Sequence, residues 1–378
     1  MIRVGITGQA GFVGTHLYNT LGLFPDKFQR IQFKDNYFQN RLKLLTFVKN
    51  CDAIVHLAAM NRHNDQEVIY DTNVSLVKQL IEACVATESK PHILFSSSIQ
   101  EQSDNSYGRS KKDGRELFEK WADTHEAQFS GSIIPNVFGP FGHPNYNSVV
   151  ATFCHQLAHD QIPQIKEDNH IRLIYVANLV KHIMDQILKV NRLEVTGHIE
   201  EQFVPYDVEI QVSEMLGKLG LMKNIYFNKG EIPCLTDPFD RDLFNTFITY
   251  IDHKSFYPYQ YQLNSDTRGT FVETMKLNSG GQVSFSTTFP GVTRGNHFHT
   301  RKAERFAVMK GKARIELRRI GTDEVFTFFL DENTPGFVDM PIWFTHNITN
   351  IGEEELFTLF WINEHYDPED VDTYFEKV

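Results

Sequence analysis

The sequence predicts a two-part chain: an α/β half built on a parallel sheet, then an all-β barrel. Three observations predict it. A short apolar strand at the start runs into a glycine-rich turn and an amphipathic helix. A serine-tipped strand is followed by a Tyr-x3-Lys pair, and the last third changes to short β-rich runs separated by Gly, Pro, Asn and Asp. At 378 residues there is room for two cores, and the change of texture places the halves at 1–252 and 253–378.

Within the first half, Ile2 to Thr7 reads as a buried strand, "GQAGFVG" as the turn, and the residues through Leu17 and Leu21 as a helix. Glycines at 8, 11 and 14 let a pyrophosphate approach bare N–H groups at a helix N-terminus, where the dipole favours negative charge. A tight strand-to-helix turn with no ligand would use the same glycines. "CDAIVHLAAMN" (Cys51–Asn61) is a second strand, ending in the small residues that a flat cofactor requires at a sheet's carboxyl edge. "HILFSSSIQ" (His92–Gln100) is another, tipped by three serines, and Tyr107 and Lys111 of "YGRSK" follow. Residues i and i+4 share a helix face, so the Lys111 ammonium is expected to lower the Tyr107 pKa and Tyr107 to exchange a proton with a carbonyl or alcohol oxygen. Ser98 is placed to hold that same oxygen. After the strand "RIQF", Lys34 suits a 2′-phosphate and Asp35 a free ribose hydroxyl; Lys34 comes first, which favours NADPH.

In the second half, "QVSFSTTF", "RFAVMKG", "ARIELRRI" and "EVFTFFL" are the barrel strands, while about Glu201 to Tyr250 is helical and mixed and is assigned to the substrate lobe of the first domain. His297 and His299 stand at i and i+2 on one strand and therefore point to one face. With Glu304 and His346 from adjacent strands, three imidazoles and a carboxylate suit a divalent ion, zinc foremost, with manganese, iron or nickel as alternatives. His16, His56 and His155 read as structural or surface residues.

Composition narrows the function. A formal net charge of −11 argues against nucleic acid as a partner. Four scattered cysteines without a CxxC pair, and no leader before "MIRVGITG", point to reduced thiols and a cytoplasmic protein. No apolar run approaches the ~20 residues of a membrane span.

In order, "TGQAGFVG", "HLAA", Asn73 in "DTNVSLV", "FSSS", "YGRSK", "PNVFGP" and "RLIYVANLV" resemble the extended short-chain dehydrogenase/reductase family, with its α/β Rossmann fold, over about residues 1–190. The resemblance implies a catalytic set of Ser98, Tyr107 and Lys111, with Lys111 also on the nicotinamide ribose and Asn136 facing a sugar nucleotide. Candidate cofactor contacts are Gly8, Gly11, Phe12, Gly14, Lys34, Leu57, Ala58 and Lys111. Two departures stand out: the Ser98–Tyr107 gap is short, and Ile133 occupies a position where many relatives carry arginine. The spacing Gly291-x5-His297-x-His299-x4-Glu304-x6-Gly311 resembles the first signature of the cupin family, and Pro341, His346 and Asn350 resemble the second, with Trp343 where glycine is usual and Gly336 one residue closer to Pro341 than usual.

Together, "FSSSIQ", "YGRSK", "HPNYNSVVATFC", "RGNHFHT", "THNITNIG" and "DTYFEKV" resemble the bifunctional enzymes of UDP-N-acetyl-L-fucosamine synthesis, used for capsule and O-antigen. That resemblance implies inversion of C-3 of UDP-2-acetamido-2,6-dideoxy-β-L-arabino-4-hexulose in the barrel. NADPH-dependent reduction at C-4 follows, giving a UDP-N-acetyl-6-deoxy-L-talosamine. Trp343 and Phe344 depart from the Gly-Tyr pair of that family, and Lys302 is a candidate base or else a solvated surface lysine. The expected substrate is a UDP-linked 4-keto-6-deoxy amino sugar, and the expected assembly a homodimer or larger. The alternative is a 4-keto reductase whose barrel only binds sugar or joins subunits.

Overall fold

The computed structural model describes residues 1–191 and 197–378. Its chain forms two compact units, one from residues 1–152 with 169–211 and one from 153–168 with 212–378.

The first unit holds β1 (Ile2–Thr7), α1 (Phe12–Leu21), β2 (Phe28–Ile31), α2 (Arg41–Lys49), β3 (Ala53–His56), α3 (Gln66–Ala86), β4 (His92–Ser98), α4 (Ser106–His125) and β5 (Phe129–Ile134). Then come β6 (Asn136–Phe138), α5 (Val149–Ala158), which runs on into the other unit, β7 (His170–Tyr175), α6 (Val176–Asn191), β8 (Ile199–Phe203) and β9 (Val208–Gln211). Six strands form a sheet in the order β2-β1-β3-β4-β5-β8, every pair parallel. Parallel strands are covered on both faces, so they read as continuous apolar runs. Val4 and Ile6 pack with Leu17, Leu21, Leu179 and Ile183 on the α1/α6 face, whereas Ile54, Ile93 and Phe95 pack with Phe47, Leu80 and Phe118 on the α2/α3/α4 face. The chain leaves β1 for one neighbour and returns to β3 on its other side. That reversal opens a crevice at the carboxyl ends of β1 and β3, where open α/β sheets bind ligands. β6, β7 and β9 form a small separate sheet.

The second unit carries α7 (Val212–Lys229), α8 (Pro238–Phe247), α9 (His253–Phe256) and strands β10 (Tyr259–Gln260), β11 (Leu263–Asp266), β12 (Gly269–Val272), β13 (Gln282–Thr288), β14 (Thr293–Phe298), β15 (Glu304–Lys310), β16 (Lys312–Arg319), β17 (Val325–Asp331), β18 (Gly336–Met340), β19 (Phe344–Asn350), β20 (Leu356–Ile362) and β21 (Tyr374–Phe375). Two five-stranded sheets, β10-β18-β15-β20-β13 and β17-β16-β19-β14-β21, make the all-β part, and β11 and β12 form a hairpin. Alternation builds them: Ala313, Ile315 and Leu317 of β16 are fully buried, while the residues between face outward. The segment expected in the substrate lobe divides, since β8 and β9 belong to the first unit and α7 and α8 to the second. Long-range polar contacts account for the latter. Tyr226 of α7 donates to Asp339 of β18 at 2.5 Å, and Asp339 also takes a bidentate fork from fully buried Arg305, at 2.7 and 2.9 Å. A buried charge needs such pairing. All four cysteines are free thiols, and among the described residues no helix is long and apolar enough to cross a membrane.

Candidate functional site

The crevice of the first unit is a cavity of about 1120 Å³. Gly8, Gly11, Phe12 and Gly14 line it from the turn, Leu57 and Ala58 from the β3 tip, Ser98, Tyr107 and Lys111 from β4 and α4, and Asn136 from β6. Backbone shape makes this wall. Gly8 has φ +71, and a Cβ there would stand 2.8 Å from the Ala58 nitrogen; a Cβ at Gly14 would stand 2.2 Å from the Gly8 carbonyl. Only bare backbone lets β1, the turn and the β3 tip converge so closely. Buried Asn73 pins that tip: it donates to the Met60 carbonyl at 3.0 Å and accepts from the Met60 N–H at 2.6 Å. These residues fit a dinucleotide, with backbone donors for phosphates and an apolar wall for a ring. Lys34 is exposed and does not line the cavity, whereas Asp35 does.

Asn105 caps α4 by accepting from the Gly108 N–H at 2.7 Å, which starts the helix just before Tyr107. Lys111 is buried and donates to the Ser96 carbonyl at 2.8 Å. Burial draws its ammonium down to about 8, against the opposing pull of Glu101. Tyr107 departs from the expected lowering: burial, with Tyr146 adding to it, pushes the phenol up to about 12. The Lys111 Nζ is engaged by Ser96 and lies over the Tyr107 ring, 5.6 Å from its centre. Ser98 Oγ accepts from the Gln100 N–H at 3.2 Å, leaving its O–H to donate. Asn136 donates to the Arg172 carbonyl at 3.3 Å, and Ile133, where an arginine was expected, is buried.

In the second unit, one ligand atom from each of His297, His299, Glu304 and His346 lies within 4.8 Å of the others. His297 and His346 are register partners on β14 and β19, while Glu304 comes from β15 of the other sheet rather than from an adjacent strand. The cluster therefore sits between the sheets. His299 Nδ1 meets the Asp372 carbonyl and His346 Nδ1 the Phe344 carbonyl at 3.2 Å. With Nδ1–H donating to a carbonyl, the tautomer leaves Nε2 as a lone pair. His299 Nε2, His346 Nε2 and Glu304 Oε2 are buried without a hydrogen-bond partner, although Glu304 Oε2 is 3.0 Å from His346 Nε2. Converging lone pairs that satisfy one another poorly are what a divalent cation would satisfy.

Lys302 is no surface lysine: it is buried and donates to the Val371 carbonyl at 2.9 Å. Trp343 holds φ +63, the left-handed region that suits the usual glycine, and stacks on Phe298. Phe344 stacks on His253. His56 is structural, buried against Thr7 Oγ1 at 2.8 Å with burial holding its pKa near 3. One residue escaped the sequence reading. Arg62 lines the cavity and donates to the Asn145 carbonyl at 2.6 Å; a cation in the loop directly after the β3 tip was the available signal.

Residues 4–198 match the NAD dependent epimerase/dehydratase family, and residues 264–374 match the polysaccharide biosynthesis C-terminal domain. The chain is 33% identical over 383 residues to the UDP-2-acetamido-2,6-beta-L-arabino-hexul-4-ose reductase of Pseudomonas aeruginosa, covering 99% of this chain and 98% of that one. It is similar over the full length of both chains to the capsular polysaccharide assembling protein CapF of Staphylococcus aureus, with 32% identity and a TM-score of 0.63. RMD of Pseudomonas aeruginosa, solved with NADPH, shares the fold at 19% identity and a TM-score of 0.52 over 59% of this chain and 84% of that one. A glycine-turn cavity that brings Ser98, Tyr107 and Lys111 to one wall agrees with those matches, and the chain belongs to the NAD dependent epimerase/dehydratase family.

Proposed function

We propose that this chain is a bifunctional nucleotide-sugar enzyme of surface polysaccharide synthesis. Its second unit is a cupin that inverts C-3 of a UDP-linked 4-keto-6-deoxy amino sugar, and its first unit then reduces C-4. The observation that carries the proposal is the presence of two complete constellations on one chain: Ser98, Tyr107 and Lys111 on a cofactor-sized cavity, and four converging ligand atoms between two sheets. The relative named for reduction of an arabino-hexulose nucleotide sugar supports the substrate class, and the capsule-assembly likeness supports the pathway class.

NADPH, when bound along the glycine turn, supplies the hydride. The protein's part at C-4 is to hold the ketone oxygen with the Ser98 hydroxyl and protonate it from Tyr107. A phenol raised to about 12 stays protonated at neutral pH and can still give its proton to a forming alkoxide, which suits the reductive direction. Arg62 offers the substrate diphosphate a cation on the cavity wall, which buried Ile133 does not. Lys34, the cation that follows β2, is the ground on which we take NADPH over NADH, although Asp35 rather than Lys34 lines the cavity.

In the second unit, His297, His299, Glu304 and His346 would hold a divalent ion, zinc foremost, which would supply positive charge to polarise the ketone. Asp372 and Phe344 carbonyls fix the imidazoles that hold it. Order follows from chemistry, because reduction removes the ketone that makes the C-3 hydrogen acidic. We further propose a homodimer or larger assembly, which sedimentation would test.

The experiment is incubation of the metal-loaded protein with the 4-keto sugar in heavy water, without nicotinamide. Deuterium entering C-3, and failing to enter with His297→Ala, supports the proposal. Absence of exchange in the parent protein leaves a reductase whose barrel only binds sugar or joins subunits.

A further inference from the structure

The catalytic helix carries a third polar rung. Tyr107, Lys111 and Arg115 recur at i, i+4 and i+8 on α4, and Glu119 adds i+12, so one stripe runs from the cavity into the protein. Arg115 is 8% exposed, yet it meets three carboxylates. Its Nε and Nη2 fork onto the two oxygens of Glu101 at 3.0 and 2.9 Å, and its Nη1 donates to Glu119 at 2.8 Å and to Glu201 at 2.6 Å. Glu101 belongs to the 3-10 turn Ile99–Gln102, which occupies most of the short connection between Ser98 and α4. The same carboxylate accepts the hydroxyl of Ser97, the residue next to Ser98.

A bidentate fork fixes both a distance and a plane. Here one end of the fork stands on the helix that presents Tyr107 and Lys111, and the other on the turn that leaves Ser98. The longer loop usual at this place is missing, and the ion pair braces what remains. Its second effect is on charge. Lys111 faces Ser96 and Phe95 of β4, Tyr107 of its own helix, His56 of β3 and Glu101 of the turn. Within that group Glu101 is the anion that favours the ammonium.

We infer that the Arg115–Glu101 pair is a positioning device that sets Ser98 against Tyr107 for the reduction. The inference deepens the reductase reading of this cavity and rests on it.

The test uses the full chain with Glu101→Gln, Arg115→Met and Arg115→Lys, measuring ketone reduction, thermal unfolding and the Lys111 titration by the 13Cε shift of lysine-labelled protein. Glu101→Gln keeps shape and the contact with Ser97, so it should remain folded. For it we expect kcat to fall about ten- to hundredfold through misplacement, with KM for NADPH within about twofold. The Lys111 midpoint, and with it the basic limb of the pH profile, should move about half a unit or more to lower pH. Arg115→Lys should recover part of the activity that Arg115→Met loses, because the charge returns without the fork. A Glu101→Gln enzyme with kcat within about twofold of the parent, or an activity loss that only follows the folded fraction with the Lys111 midpoint unmoved, overturns the inference. Failure of the parent itself to reduce any 4-keto nucleotide sugar sinks the reductase reading instead, and the substrate-free Lys111 titration still decides this one.

Discussion

The two candidate sites are built by opposite means. In the first unit the decisive feature is what side chains leave out: Gly8 and Gly14 let backbone approach backbone, and the wall they open is wide enough for a dinucleotide. In the second unit the decisive feature is what side chains bring together, with three imidazoles and a carboxylate from two sheets converging on a point. Polar groups of the first site are largely engaged, Lys111 by Ser96 and Ser98 by Gln100. Those of the second retain unmatched lone pairs. A large planar ligand needs absence and backbone donors, whereas a bare ion needs a surplus of donors fixed in advance.

If the sites act separately, damage to one should spare the other. The largest effect is expected from Tyr107→Phe, which should lower the rate of ketone reduction by about a thousandfold through loss of the proton donor. Deuterium exchange at C-3 should continue in that protein, and an NMR time course in heavy water checks it. Next in size, His346→Ala or chelation of the parent should slow C-3 exchange at least about a hundredfold while NADPH oxidation by the unepimerised ketone persists. Loss of both activities together would show that the two sites do not act separately. Gly14→Ala is smaller in kind: a Cβ 2.2 Å from the Gly8 carbonyl forces the turn to shift, at roughly 1–3 kcal/mol of stability measurable by denaturant unfolding. Metal content should be unchanged in that variant. Lys34→Ala should raise KM for NADPH about threefold and leave NADH alone, the scale expected for an exposed charge. An unchanged ratio would assign nucleotide choice to Asp35.

A further effect is on pH. Burial lowers the Lys111 pKa to about 8, below its usual value of 10.5, so between those values the unfolded chain binds more protons. Stability contributed by this group therefore rises with pH across that window, while activity that requires the ammonium falls as pH passes about 8. Lys111→Met should flatten the first trend in thermal unfolding.

Much of this was readable because it is local. The strand at Ile2–Thr7, the glycine turn, the Tyr107/Lys111 spacing and the His297/His299/Glu304 pattern each lie within a few residues, and backbone periodicity decides where they point. What escaped depends on contacts far along the chain. Burial of Tyr107, which raises its pKa instead of lowering it, comes from surroundings that the YxxxK spacing does not encode. Packing of α7 in the second unit follows from Tyr226 meeting Asp339, 113 residues on. Lys34 and Asp35 are neighbours, and only the conformation of the 3-10 turn beginning at Asp35 brings the second to the cavity wall. Lys302, read as a candidate base or a solvated lysine, is buried, with its ammonium on the Val371 carbonyl 69 residues on.

We propose that one ketone is used twice, first to loosen its neighbouring carbon and then as hydride acceptor. The most direct measurement is product NMR after complete turnover of the 4-keto sugar in heavy water with metal-loaded protein and unlabelled NADPH. The expected product has inverted C-3 bearing deuterium and C-4 bearing protium from the cofactor. A reduced product with C-3 uninverted and still carrying protium would contradict it.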